Sequence, residues 1–284
     1  MRLDDERESD NIEDRRDGGL SIGGRGLSLG SIVIALVASA VFGVNPLTVL
    51  GLLDGGAPTA IQQAAPQTPA NDEETRFVRK VLASTEDVWR DQFQSHHTQY
   101  REPTLVLFRG STPTACGNGQ AAMGPFYCPG DQKVYIDLGF YDILKTRLGS
   151  PGDFAQAYVI AHEIGHHIQK LTGTSDKVDA MRGRASEVQQ NALSVRLELQ
   201  ADCYAGIWAN RADEAKHILD QGDVEEALNA ASHIGDDALQ KAGQGYAVPE
   251  TFTHGTSLQR VTWFKRGVET GDLHACNTFE TKTL

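Results

Sequence analysis

The sequence predicts a mostly helical α+β domain with a short β-sheet, preceded by one transmembrane helix. Three observations predict it. Residues 26–53 form a run of 28 positions without a charge. Two short strand-like runs lie between residues 103 and 140, and apolar residues recur at helical spacing through most of the chain beyond residue 150. The order helix, strands, helices fits an α+β domain better than a chain of βαβ units.

Residues 1–28 carry five Arg and eight Asp or Glu with few apolar side chains, which reads as a disordered tail. Residues 29–53 read as the anchor. Its unbroken apolar centre, IVIALVASAVFGV (Ile32 to Val44), is shorter than the roughly 20 residues a spanning helix needs, so the span includes Pro46 or the Ser/Gly-rich entry. The five Arg precede this run and the next basic residue is Arg76, which predicts an N-terminus inside the cytoplasm and a single pass through the cytoplasmic membrane. The rest of the chain would then be periplasmic or extracellular. Residues 54–71, DGGAPTAIQQAAPQTPAN, have the Gly/Pro/Ala/Gln composition of a linker. Residues 72–284 form the folded domain.

Within the domain, Asp72 to Phe93 has the apolar spacing of a helix, with Asp72 as its cap. Pro103 opens the strand TLVLF, and KVYIDLGF (Lys133 to Phe140) alternates as a half-buried strand. A Gly/Pro-rich loop, Cys116 to Pro129, separates them. Asp153 opens the next helix as a capping-box variant with Gln156, and Gly173 ends it. Net charge is −12 over 284 residues, which excludes phosphate neutralisation as a binding strategy and hence a nucleic-acid partner. A mean hydropathy of −0.35 excludes a polytopic membrane protein.

Inside the helix from Asp153 stands His162-Glu163-Ile164-Gly165-His166. Residues four apart share one helix face, so the two imidazoles converge. Zn²⁺ takes neutral imidazole nitrogens and keeps an open position in catalytic sites. Glu163 then stands where it can act as general base on a water at the metal. Gly165 costs about 1 kcal/mol in a helix interior, a cost explained by the close approach of another element. His167 points about 100° away from His166 and reads as a surface residue or a support for a ligand.

A catalytic zinc needs a third protein ligand. The helix Ser186 to Arg211 carries Glu198 and Asp202, four apart at the edge of its apolar stripe. A carboxylate there is costly unless paired, and a metal supplies the pairing. Glu198 is the expected third ligand, with one Zn²⁺ per chain. Asp202, one turn on, is placed to accept the second N–H of His162.

HEIGH followed by ELQAD resembles the gluzincins, and Glu198-x-x-Ala201-Asp202 is similar to the heat-shock membrane endopeptidase and CAAX prenyl protease group. A closer resemblance is to the bacterial neutral zinc metallopeptidases. It covers NIEDRR (Asn11 to Arg16), ACGNGQAAMGPFYCPGDQKVYID, AHEIGHHIQ, LELQADCYAGIWA, IGDDALQ and THGTSLQRVTWF. The resemblance implies a gluzincin-like fold and peptide-bond hydrolysis on a peptide or protein substrate, with His254 or Arg260 stabilising the oxyanion. The KVYID strand is expected to be an edge that pairs with extended substrate. His96, His97, His217, His233 and His274 have no ligand-like context.

Outside the cytoplasm disulfides are permitted. Four cysteines allow three pairings, of which Cys116–Cys128 and Cys203–Cys276 are expected. Two rival readings stand beside the peptidase: a peptide-binding scaffold with a closed structural zinc, and a zinc hydrolase of a non-peptide amide such as a cell-wall bond.

Overall fold

The computed structural model describes residues 1–16, 72–120, 124–146, 152–281 and 284. The expected anchor (29–53) and linker (54–71) lie outside the described residues. Among those described, no helix is long and apolar enough to cross a membrane.

Four strands make one sheet in the order β1 (Ile12–Asp14), β2 (Thr104–Phe108), β6 (Lys133–Asp137), β5 (Phe126–Cys128). β1, β2 and β6 run parallel, and β5 is antiparallel to β6. A separate hairpin, β3 (Ser111–Thr114) and β4 (Gly117–Gln120), fills part of the connection from β2. The helices are α1 (Glu73–Ser95), α2 (Gly139–Thr146), α3 (Asp153–Leu171), α4 (Thr174–Arg182), α5 (Glu187–Lys216), α6 (Asp223–His233), α7 (Asp236–Gln244) and α8 (Ser257–Thr270). The expected α+β, mostly helical architecture is therefore observed.

One sheet face turns Leu105, Leu107, Val134 and Ile136 into the main core, where they join Val78, Leu82 and Trp89 of α1 and Tyr158 and Ile164 of α3. The other face is also covered. Val106, Phe108, Cys128 and Tyr135 form a second small cluster with Phe126 against it. This corrects the half-buried reading of KVYID: Tyr135 and Asp137 are buried too. Asp137 meets the cost of burial by accepting from the Gly110 and Gly139 backbone N–H groups, at 2.7 and 2.8 Å. Trp208 on α5 stacks on Phe154 and donates to Ser84 on α1, tying three helices together.

Caps set the helix starts. Asp72 accepts from the Thr75 N–H at the head of α1, as expected. Ser186 and Gln189 make a reciprocal capping box at α5. The expected Asp153 box is corrected: Gly152 is the N-cap, and Asp153 instead binds the Met1 ammonium at 3.1 Å. α5 runs one turn past the expected Arg211, to Lys216.

The largest correction concerns the tail. Residues 1–16 are not disordered: β1 is an edge of the main sheet, pairing Ile12 with Leu105 and Asp14 with Leu107. The acidic and basic side chains that read as solvated are paired with α1 and its neighbours. Arg7 bonds Glu86 and Asp87, Glu6 bonds Lys216, and buried Ser9 donates to Glu86 at 2.6 Å. Strands of one sheet share one compartment, so a tail on the opposite side of a membrane from the domain is corrected with it.

Candidate metal centre

The centre forms where α3 crosses α5. A Cβ on Gly165 would stand 3.0 Å from both Cα and carbonyl oxygen of Ala201, so this glycine is the close approach its cost in a helix requires. The crossing brings His162 and His166 of α3 to Glu198 of α5. Their donor atoms all lie within 4.8 Å of one another. The His162 Nε2 is 3.2 Å from one Glu198 oxygen, and the His166 Nε2 is 3.5 Å from the other.

The far nitrogen of each imidazole is occupied. His162 donates from Nδ1 to Asp202 Oδ1 at 2.8 Å, the role expected of Asp202. His166 donates from Nδ1 to Gln169 Oε1 at 2.9 Å. Each Nε2 is thereby the nitrogen turned toward the cluster, the one left to bind a metal. Gln169 is held in turn, donating to the Leu197 carbonyl at 2.7 Å and to Gln200 at 3.1 Å. Gln200 donates to the Cys276 carbonyl, beside the Cys203–Cys276 bridge.

Asp202 is wholly buried and fully engaged. Tyr158 donates to Oδ1 at 2.6 Å, and the Arg260 fork donates to Oδ2 at 2.9 Å and to Oδ1 at 2.8 Å. Burial pushes the Asp202 carboxyl up, but Arg260 and His162 outweigh it and hold the acid well below the usual range. Burial likewise lowers His162, and the opposing charges of Asp202 and Glu198 win, lifting it to about 10 in the absence of metal.

These placements sort the remaining expectations. Glu163 is buried beside His162. Arg260 is brought to Asp202 on the Nδ1 side of the His162 ring, where its guanidinium neutralises the buried carboxylate. His254 is held by a different carboxylate, Asp236. Its Nδ1 meets Asp236 Oδ1 at 3.1 Å, while Asp236 Oδ2 accepts the backbone N–H groups of Thr253, His254 and Gly255. Asp236, followed by burial in the other direction and by the Glu198 charge, raises the His254 pKa above its ordinary value. His167 is not on the surface but entirely buried. It donates from Nε2 to the Arg101 carbonyl at 2.6 Å and accepts the Tyr127 hydroxyl at 3.0 Å, bolting α3 to β5. Burial takes it down to about 4, so it is neutral at pH 7. His96, His97, His217, His233 and His274 are not gathered into the cluster, as expected. β6 is an internal strand, which corrects the expected edge; among the described residues β1 and β5 are the two edges of the sheet, and β5 is the one nearest α3.

Sequence reasoning missed Tyr158, Gln169, Gln200 and Asp236. Gln169 follows His166 by three residues, a helical spacing that places it over the ring. Asp236 carries no comparable signal, because its partner lies 18 residues on.

The donor set fits zinc: two imidazoles and a carboxylate, with no fourth His, Cys, Asp or Glu in the cluster among the described residues. Fold and site thus bring together a His-His-Glu cluster with the donors of a metal site. The chain belongs to the family described as "Putative neutral zinc metallopeptidase", whose pattern matches residues 1–279. It is 51% identical to the uncharacterized protein YpfJ of Escherichia coli K12, over 98% of this chain and 99% of that one. It is 41% identical to the uncharacterized protein Rv2575 of Mycobacterium tuberculosis H37Rv, over 74% of this chain and 73% of the other. No solved structure matches.

Proposed function

We propose that the protein is a zinc-dependent metalloendopeptidase. The observation that carries this reading is the three-donor cluster with each imidazole locked in its metal-binding tautomer. Zinc held by His162, His166 and Glu198 would supply a polarised carbonyl and a water acidified to a pKa of about 7. Glu163 takes the proton of the attacking water on its carboxylate and returns it to the departing amine. His254, oriented by Asp236, donates a hydrogen bond to the carbonyl oxygen as charge builds there. Asp202, with Arg260 and Tyr158 behind it, keeps His162 aimed. The free edge of β5, held to α3 through Tyr127 and His167, is the place for an extended substrate backbone to add as a further strand.

The scaffold alternative needs a fourth ligand to close the site. Asp202 is a candidate, and its oxygens are taken by Arg260, Tyr158 and the far nitrogen of His162. The test compares wild type with Glu163→Gln, zinc-loaded, on a denatured protein. Wild type should cleave it and the variant should retain zinc and lose at least 100-fold in rate, the scale of general-base removal. Equal cleavage by both would refute the mechanism. Zinc retention with no cleavage by wild type would favour the scaffold or the non-peptide amide.

A further inference from the structure

Building on the zinc-dependent reading, we propose that Gln200 is a positioning residue for the metal centre. With Gln169 it forms a relay of two buried carboxamides. The relay carries the hydrogen-bond direction of the Cys276 carbonyl to His166 and settles which imidazole nitrogen faces the metal. The segment around Cys276 thereby becomes part of what makes the centre. Gln169 on α3 and Gln200 on α5 are both out of solvent, at 0% and 5% exposure. A buried carboxamide is costly unless its oxygen and its nitrogen are both satisfied, and an apolar side chain fills similar space without that demand. Two of them side by side between the helices that carry the ligands point to a role that needs polarity.

The direction of the relay follows from its ends, because a backbone carbonyl can only accept. The Cys276 carbonyl receives Gln200 Nε2 at 3.1 Å, which turns the Gln200 oxygen toward α3. That oxygen receives Gln169 Nε2 at 3.1 Å, and the Leu197 carbonyl receives the same nitrogen at 2.7 Å. The Gln169 oxygen is then the end left for His166, and it accepts from Nδ1 at 2.9 Å. Nδ1 carries the hydrogen and Nε2 is left for metal. A flipped Gln169 would set its oxygen against the oxygens of Leu197 and Gln200 with no hydrogen between them. A flipped Gln200 would do the same against Cys276. The far end of the relay is anchored. Cys276 is bridged to Cys203, buried Thr278 donates from Oγ1 to the Arg196 carbonyl at 2.7 Å, and Arg196 donates back to the Thr278 carbonyl. Leu197 immediately precedes Glu198, so the amide that orients one ligand is also bonded to the turn that presents another.

The test has two readouts: zinc affinity by chelator competition, and the His166 tautomer by nitrogen NMR of the metal-free protein at alkaline pH. They are applied to the full chain as wild type, Gln200→Met, Gln169→Met and the double variant, with circular dichroism as the check on folding. Methionine fills the space of the amide without its hydrogen bonds. Gln200→Met should lower zinc affinity about tenfold, the lower end of the loss from removing an outer support, since Leu197 still holds Gln169. It should also turn the single Nδ1–H tautomer of wild type into a mixture. In the Gln169→Met background the same change should alter neither readout, because the relay is already cut. Thr278→Val leaves both amides in place and loosens only the anchored end; it should shift the tautomer in the same direction. An equal loss of affinity in both backgrounds, or an unchanged tautomer in Gln200→Met or in Thr278→Val, would overturn the proposal. The NMR readout stands without metal, so a wild type that bound no zinc would refute the zinc reading while the tautomer still decided the relay.

Discussion

The outward nitrogen of each ligand imidazole decides what the inward nitrogen can do. Asp202 accepts from His162 and Gln169 accepts from His166, so neither ring is free to rotate or change tautomer. Loss of such a supporting acceptor costs 10–100-fold in metal affinity. Asp202→Asn should therefore weaken zinc binding by about that factor in a competition titration with a chelator, while circular dichroism stays native. The Asp236–His254 pair gives a pH prediction. Its raised pKa means that His254 is charged below its ordinary 6.5 and that charge-dependent hydrogen bonding is lost only as pH rises through the higher folded value. Asp236→Asn should lower the His254 titration midpoint in an NMR experiment and move the alkaline limb of activity toward lower pH. An unchanged midpoint would mean that Asp236 serves only the backbone of residues 253–255. The pairing of His162 with His166 on one face was legible in the sequence because i, i+4 spacing is a local property. Asp236 and the contact of Arg260 with Asp202 were not, since each depends on which distant elements pack together.

Elements meet at the α3–α5 crossing, and Gly165 is its pivot. A methyl group there would press on the Ala201 backbone at 3.0 Å, so Gly165→Ala should destabilise by about 1–3 kcal/mol in urea unfolding. It should also loosen zinc binding, since Glu198 rides on the displaced helix. A second tie is the bridge from Cys203 on α5 to Cys276, with Cα atoms 5.6 Å apart. Cys203→Ser with Cys276→Ser should cost about 2–5 kcal/mol by the same measurement. The expected pairings, Cys116–Cys128 and Cys203–Cys276, are those observed. TLVLF was legible as a strand because its β-branched and aromatic residues stand alone between breakers. β5 was hidden in a Gly/Pro-rich loop: three residues have no period to read, and Phe126 and Tyr127 gain their strand from pairing with β6.

For the whole molecule, composition misled at the N-terminus. A segment with few apolar residues is expected to stay unfolded, yet buried Leu3 and Ile12 and a set of ion pairs with α1 hold it to the body. Charge complementarity over 70 or more residues leaves no mark on local composition. The consequence reaches the metal centre itself, because the edge strand β1 belongs to the same sheet that ends in β5 beside α3. Ile12→Asp should weaken the body as a whole and with it the metal centre, which a paired measurement of unfolding and zinc content would register together.

The zinc K-edge X-ray absorption spectrum of the purified protein tests the central claim most directly. The account predicts one zinc per chain with two imidazole nitrogens, carboxylate oxygen and a remaining light-atom position, all near 2.0–2.2 Å and with no sulfur. Glu198→Ala should remove the carboxylate contribution. A sulfur shell, or a spectrum unchanged by Glu198→Ala, would contradict it.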